Sequence, residues 1–432
     1  MNVDKNLFLY DLAFVSIMKN EGHYIKEWLD YHLLAGVNHF YIYDNDSTDN
    51  MKEILQPYID AGIVTYIFYP GKAKQMEAYN DAVKKFRFYC RYMAFVDADE
   101  FFVPKSNRSL SEIADEILSG FKVSTAGFEA QWFMYGSNGE EKADYTRGVL
   151  ERFTRRQKNM FDAAKSITNP RKINYIQTSH YPICFSNIYF INKYALEILF
   201  PDIGYKIADK IVMNHYHLKT KEEYLLRKSK GDVAFGKIQY QNLEEGFEKS
   251  DSVYNEVFDD SALKYRAARM GGGTGINTQP NYQKVLDTVI QTLIQARNSN
   301  TPPDFSVGKI ETFLTCRSLA NFFREKQMLD EKICDALEND SLVAIYKLFF
   351  SAISIPEFQL LMSELPKILT LKYPVVDAII SGCTKIISQV KDSIRLSCDN
   401  PDKLYMWKDF ADWDYKLEML KGFYAYRLKC HD

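Results

Sequence analysis

The segment RYMAFVDADEFFVP, residues 91–104, runs four apolar residues, Met93 to Val96, straight into Asp97, Asp99 and Glu100. A buried strand that ends abruptly in three acids predicts a ligand-facing rim, and the flanking sequence decides what kind of sheet supplies it. Upstream, LAFVSIM (12–18), HFYIY (39–43) and GIVTYIFY (62–69) are short apolar runs rich in β-branched and aromatic residues, each read as a strand. Between them lie helical patterns. EGHYIKEWLDYHLLAG carries Ile25, Trp28, Leu29 and Leu33 on one face, with Gly36 placed to end the helix. A second face is made by Met51, Ile54, Leu55, Tyr58 and Ile59, after the polar turn DNDSTDN. KQMEAYNDAVKKFRFYCR is the third helix, leading into the apolar strand that ends at Asp97. Strands apolar on both faces that alternate with amphipathic helices predict an α/β domain with a mostly parallel sheet and helices on both sides.

In open α/β sheets ligands bind beyond the carboxyl ends of the strands. The polar clusters fall there: KNE after the first strand, DNDSTD after the second, DADE after the fourth. Taken singly each has a plain structural reading. Glu21 is an ordinary first-turn glutamate, Ser47, Thr48 or Asp49 a helix cap, and D-x-D a solvated turn. Taken together they point to a site. Two carboxylates at i and i+2 reach one hard divalent cation, and Mg²⁺ or Mn²⁺ sites combine such carboxylates with substrate phosphates.

Composition sets limits. The 432 residues exceed one compact core, and the formal net charge of −3 lacks the basic excess of a nucleic-acid binder. Seven scattered cysteines without a C-x-x-C pair read as reduced core thiols of a cytoplasmic protein. No apolar run reaches the length of a spanning helix, so contact with the inner membrane face would be peripheral.

The ordered set FVSIMKNEGHYIKEWLDYHLLAGVNHFYIYDNDSTDN (14–50), QMEAYNDAV (75–83) and MAFVDADEFFVP (93–104) resembles the nucleotide-diphospho-sugar glycosyltransferases of the GT-A fold. Within them the match is to the family 2-like branch related to glycosyltransferase family 92. WFMYGSNG (132–139), LERFTRR (150–156), KSITNPRKI (165–173), His180 and NHYHLKTKEEYLLRKSKG (214–231) continue the resemblance in order, over roughly residues 8 to 240. It implies a Rossmann-like sheet and an inverting transfer of sugar from a nucleoside diphosphate sugar, a UDP-sugar, to a hydroxyl of a glycan or lipopolysaccharide-type acceptor. Carried onto this chain, Asp97 and Asp99 hold Mn²⁺ or Mg²⁺ against the diphosphate, with His215 as a further ligand. Glu21, Asp44 and Asn45 line the nucleoside, and Gln75 and Asn80 face the sugar-nucleotide. Lys165, Arg171 and the run Arg227, Lys228, Lys230 are readable either as phosphate contacts or as surface charge.

Other readings come from the residues themselves. His215 and His217 share a face by period two, and Thr220 with Glu223 forms a capping box that starts a helix. Trp132 beside a glycine-containing turn is a candidate for stacking on acceptor sugar. A general base is required, for which Glu129 and then Asp144 are candidates. Beyond residue 240 no motif continues. The boundaries expected are 1–270 for the transferase domain, 271–304 for a linker or loop region and 305–432 for a helical domain. The closing KLEMLKGFYAYRLKCHD reads as an amphipathic surface helix. Rival functions are a Mg²⁺-dependent nucleotidyl or phosphoryl enzyme, against which the lack of a glycine-rich loop in SIMKNEGHY speaks, and a degenerate glycan-binding scaffold.

Overall fold

The computed structural model describes residues 4–193, 195–196, 206–229, 242–271, 280–298, 309–349, 354–371 and 373–395, with Leu417, Glu418 and Lys421. The chain divides into two compact units, Phe8–Asn281 and Met1–Leu7 with Tyr282–Asp432.

In the larger unit β1 (Tyr10–Met18), α1 (Ile25–Leu34), β2 (His39–Asp44), α2 (Met51–Asp60), β3 (Val64–Phe68), α3 (Gln75–Phe86) and β4 (Cys90–Phe95) alternate as the sequence predicts. There follow β5 (Glu100–Pro104), α4 (Leu110–Ser119), β6 (Thr125–Met134), α5 (Val149–Arg152), β7 (Arg155–Arg156), β8 (Ala164–Thr168), β9 (Ile173–Ile176), β10 (Pro182–Cys184), β11 (Tyr189–Ile191), β12 (Ile211–His215) and α6 (Lys221–Ser229). The main sheet has the order β3-β2-β1-β4-β8-β6-β12-β5, with β11 added to β6. Its first four strands are parallel, whereas β8 is antiparallel to β4 and β6, and β5 is antiparallel to β12. The sheet is therefore mixed on its second half. β2 is buried along its whole length and β1 at every position but one, which is why both read as unbroken apolar runs.

Register brings the chain's polar clusters to one edge. Met18 pairs with Asp44, and Asp44 with Phe68, so the first three parallel strands end level with one another. On the far side β12 pairs His215 with Glu100, which sets the end of β12 against the turn that carries Asp97 and Asp99. That turn is further fixed from the helical layer. Trp28 Nε1 donates to the Glu100 carbonyl at 3.0 Å and Tyr31 OH to the Phe102 carbonyl at 2.9 Å, both from the buried face of α1. Gly36, at φ +93°, ends the helix as expected; a Cβ there would meet the Ser109 Cβ at 2.7 Å.

The smaller unit is helical. Its segments Tyr282–Asn298, Lys309–Glu325, Glu331–Leu348, Ile355–Ile368 and Val375–Arg395 bury apolar stripes around a charged core. There Arg317, 3% exposed, lies 3.5 Å from Glu338 and 3.7 Å from Glu364. The helix Tyr282–Asn298 falls inside the stretch 271–304 expected as loop, because Val285, Val289 and Leu293 recur at helical spacing and are buried. The glycine-rich 272–279 and the break at 299–304 lie outside the described residues, as do Lys230, Cys430, His431 and most of the closing segment. Among the described residues no helix is long and apolar enough to cross a membrane.

One core residue of the larger unit favours folding less as pH falls. His32 on α1 is fully buried between Phe14 and Phe101, with Nδ1 on the Trp28 carbonyl at 2.9 Å and no partner for Nε2 among the described residues. Burial lowers its pKa to about 3, against a small opposing effect of the Trp28 carbonyl. From about pH 6.5 downward the unfolded chain takes up a proton that the native ring refuses. Stability conferred by the neutral ring is complete above that pH and is lost as pH falls. We expect His32→Leu to flatten the acid limb of the stability profile, by up to about 1.4 kcal/mol per pH unit between pH 6.5 and 4. Urea unfolding at a series of pH values measures it, and an unchanged slope would show that His32 does not set this limb.

Candidate functional site

The loops after β1 and β2 form one clipped unit. Asn20, in the left-handed region at φ +59°, accepts from Thr48 N at 2.7 Å and donates its own N–H to Ser47 Oγ at 2.9 Å. Gly22 N donates to Asp49 Oδ2 at 2.8 Å, and a Cβ on Gly22 would lie 2.5 Å from Asn50 Oδ1. Asp44 closes the second loop by accepting from Ser47 N at 2.9 Å and from Tyr66 OH. Glu21 stands within this clip. Its Oε2 is buried without a partner among the described residues, and burial raises its pKa to about 7, with Lys219 pulling down and Asp99 pushing up.

Asp97 and Glu100 share a buried cation. Lys165 on β8 is fully buried, its ammonium 2.8 Å from Asp97 Oδ2 and 3.4 Å from Glu100 Oε2. Burial alone would lower the Lys165 pKa, but Asp97 and Glu100 more than offset this and raise it. Glu100 is raised, because burial outweighs the pull of Lys165. Gln75 Nε2 (2.9 Å) and Tyr79 OH (3.1 Å) both donate to Asp97 Oδ1, and Glu100 Oε2 accepts from Asp97 N at 2.9 Å. Asp97 thus accepts three hydrogen bonds from protein. Lys165, expected as a phosphate contact, is held on Asp97 and Glu100, and Asp97, expected as a metal ligand, is bonded by Lys165, Gln75 and Tyr79 with its side chain 33% exposed. Gln75 acts on Asp97.

That group is Asp99, His215 and His217, whose ligand atoms all lie within 4.8 Å of one another. Asp99 Oδ1 is 3.4 Å from His215 Nε2, and Asp99 Oδ2 is 3.1 Å from Arg227 Nη1. Burial works against a charged Asp99, yet His215, Lys219 and Arg227 hold its pKa well below the usual carboxylate range. Burial, with Arg227 and His215 next in effect, keeps His217 well below the usual imidazole range and so neutral. A carboxylate beside two imidazole rings is a donor set for a borderline divalent ion such as Mn²⁺. Sequence reading chose His215 over His217; the shared face it recognised was the signal for taking both. Lys219, at φ +56° with its ammonium 3.9 Å from the Tyr24 ring centre, carried no signal.

Other expected residues are placed as follows. Trp132 packs edge-on against His215 at 4.3 Å between ring centres. Asn45 Nδ2 donates to the carbonyls of Tyr69 (2.9 Å) and Gly71 (2.8 Å), and Asn80 bonds the backbone of Ile176 through both ends of its amide. Both therefore hold loops in place, against the expectation that they meet the donor. Arg171 is buried on the carbonyls of Cys90 (2.6 Å) and Arg91 (3.2 Å). Lys228 lies over the Tyr224 ring at 5.8 Å, and its neighbour Arg227 is the residue that reaches Asp99. Glu129 pairs with Ser166 across β6 and β8 while Ala130 pairs with Lys165, so strand alternation sends Glu129 to the face opposite Lys165 and Trp132. There it accepts from Lys193 N at 3.1 Å. Asp144 is a surface residue bonded to Thr146 and Arg147. Neither candidate base joins the cluster.

The helix that delivers Arg227 is anchored by the expected capping box. Glu223 Oε2 accepts from Thr220 N at 3.0 Å, and Glu223 N donates to Thr220 Oγ1 at 3.2 Å. The same carboxylate takes both arms of Arg152, at 3.0 and 3.1 Å, and the Tyr24 hydroxyl. Arg152 and Glu223 side chains are 1% and 4% exposed. Breaking a buried pair from one side leaves an uncompensated charge and costs about 3–5 kcal/mol, whereas replacing both with apolar groups is far milder. Denaturant unfolding should show Glu223→Met strongly destabilised and the double variant Arg152→Met, Glu223→Met recovering most of the loss. Additive losses would mean that the two charges do not depend on each other.

The profile of glycosyltransferase family 92 matches residues 15–250. A glycosyltransferase family 92 protein of Ricinus communis is 25% identical over 221 residues, 50% of this chain and 37% of the relative. A galactan β-1,4-galactosyltransferase of Arabidopsis thaliana is 26% identical over 206 residues, 45% of this chain and 37% of the relative. The chain thus spans little more than a third of the length of either relative. Among solved structures, S. aureus TarS 1–349 overlaps 84% of this chain and 93% of its own at 11% identity and a TM-score of 0.29. With more than half of its length matched by the profile, the chain belongs to glycosyltransferase family 92.

Proposed function

We propose that the chain moves a hexosyl group, with inversion, from a UDP-sugar to a hydroxyl of a polysaccharide or lipopolysaccharide-type glycan in the cytoplasm. The convergence of Asp99, His215 and His217 with the cations Arg227 and Lys219, on the rim where Glu21 and Asp44 close the first two loops, supports this reading. The name of the galactan galactosyltransferase relative favours a hexose donor.

In this reading Asp99, His215 and His217 hold Mn²⁺ or Mg²⁺, with Mn²⁺ better suited to two imidazoles. The bound ion would neutralise the diphosphate and stabilise it as leaving group. Arg227 is held beside the same anion by its planar fork, one arm on Asp99 and the other on the His217 carbonyl, and brings its charge to the diphosphate. Asp97, fixed by Lys165, Gln75 and Tyr79, keeps the turn rigid so that Asp99 stays aimed at the cluster. Trp132 flanks His215 on the side assigned to acceptor.

Calorimetric titration of UDP, GDP and CMP, with and without Mn²⁺, tests the reading. We expect UDP to bind the parent chain in a Mn²⁺-dependent way and at least tenfold more weakly to Asp99→Asn. No nucleotide binding under any metal condition would overturn it. Arg227→Lys retains the charge and loses the fork, so the donor KM should rise roughly tenfold in a UDP-release assay. An unchanged KM would remove Arg227 from donor binding.

A further inference from the structure

We infer that Phe161 and Trp132, bordered by His180, form a sugar-stacking subsite for a pyranose ring of the acceptor, leading outward from the Asp99 and His215 cluster. This rests on the transferase reading above and extends the expectation for Trp132 to Phe161 and His180, which the sequence did not single out for this role. Trp132 is the inner ring, 4.3 Å from His215 between centres. Phe161 stacks on it, with centres 6.2 Å apart and planes 22° apart, and remains 40% exposed. The two are locked together by backbone: Phe161 N donates to the Trp132 carbonyl at 2.8 Å and Trp132 N to the Ala163 carbonyl at 2.9 Å. The platform is therefore anchored near the carboxyl end of β6, an interior strand of the sheet.

Two polar features point to a ligand at the rings. Trp132 Nε1 is buried and has no partner among the described residues, an N–H that costs free energy unless something accepts from it. His180, 5.2 Å from Trp132 between centres, has Nδ1 on the Ala164 carbonyl at 2.9 Å, which leaves Nε2 for a second partner. Burial keeps this ring toward the neutral form, and its electrostatic coupling to Lys165, Asp97 and His215 sets it at the border of the site. A pyranose satisfies both features at once, because its C–H face covers an aromatic ring while its hydroxyls accept and donate in the plane beside it. A purely apolar ligand would leave the Trp132 N–H unanswered. A charged one meets no countercharge on Phe161 or Trp132.

Saturation-transfer NMR of methyl β-D-galactopyranoside, methyl β-D-glucopyranoside and methyl α-D-mannopyranoside tests the subsite on the 432-residue chain, with UDP and Mn²⁺ present. Calorimetry of UDP runs alongside. In the parent we expect transfer to the ring hydrogens of one sugar face. Phe161→Ala should weaken that binding roughly three- to tenfold and Phe161→Tyr restore it, with UDP affinity alike in all three. Trp132→Phe should also weaken the sugar, by removing the N–H, while keeping a ring. Pyranoside binding that is equal in the parent and Phe161→Ala, or absent from a parent that binds UDP, would overturn the subsite alone. A fall in affinity for an intact UDP-sugar, but not for UDP, would reassign the platform to the donor. A parent that binds no UDP would overturn the transferase reading and the subsite together.

Discussion

The Lys165 ammonium, buried between Asp97 and Glu100, is the contact on which the site depends. It joins the turn after β4 to β8, and so ties the parallel half of the sheet to its antiparallel half. Without it the buried Glu100 would lie uncompensated beside the half-buried Asp97, a costly arrangement at any pH where both are charged. With it the turn is rigid, and Asp99, two residues on, is presented to His215 from a fixed base. The division of labour within D-x-D-E follows. Glu100 is buried in protein, Asp97 is bonded by Lys165, Gln75 and Tyr79, and Asp99 faces the cluster.

Sequence made the parallel half of the fold legible because there the pattern is local. Each strand is an apolar run, each helix has one apolar face, and α1 with its Gly36 end is where periodicity places it. The antiparallel half was opaque for a physical reason. Pairings such as His215 with Glu100 and Glu129 with Ser166 join segments far apart in sequence, and register between distant strands leaves no trace in either segment alone. Glu129 shows the consequence, since a shift of one residue would have exchanged its face with that of Ala130.

At the site, legibility followed residue type. That Asp99 and His215 lie side by side could be anticipated, because few roles suit a strand-end carboxylate and a late histidine together. The protein partners of Asn45, Asn80 and Lys165 could not be read from sequence, because amides and ammonium groups serve backbone carbonyls and buried acids as well as they serve ligands. Glu223 was read correctly as a cap, since a capping box is a local motif. Its bonds to Arg152 and Tyr24 come from other parts of the chain and were not predictable from four residues.

The separations along the chain have a consequence for the order in which the protein acquires its parts. Tyr24 and Glu223 are 199 residues apart, Asp99 and Arg227 128, Asp97 and Lys165 68. A chain emerging from the ribosome can assemble β1 to β4 with their helices early, through short-range contacts. At that stage Asp97, Asp99 and Glu100 repel one another at the end of β4. Relief comes first from Lys165 and only later from Arg227, once the segment through α6 has been made. The rim is thus completed in two instalments, and the nascent chain passes through a stage with its central strands formed and its acidic turn still open.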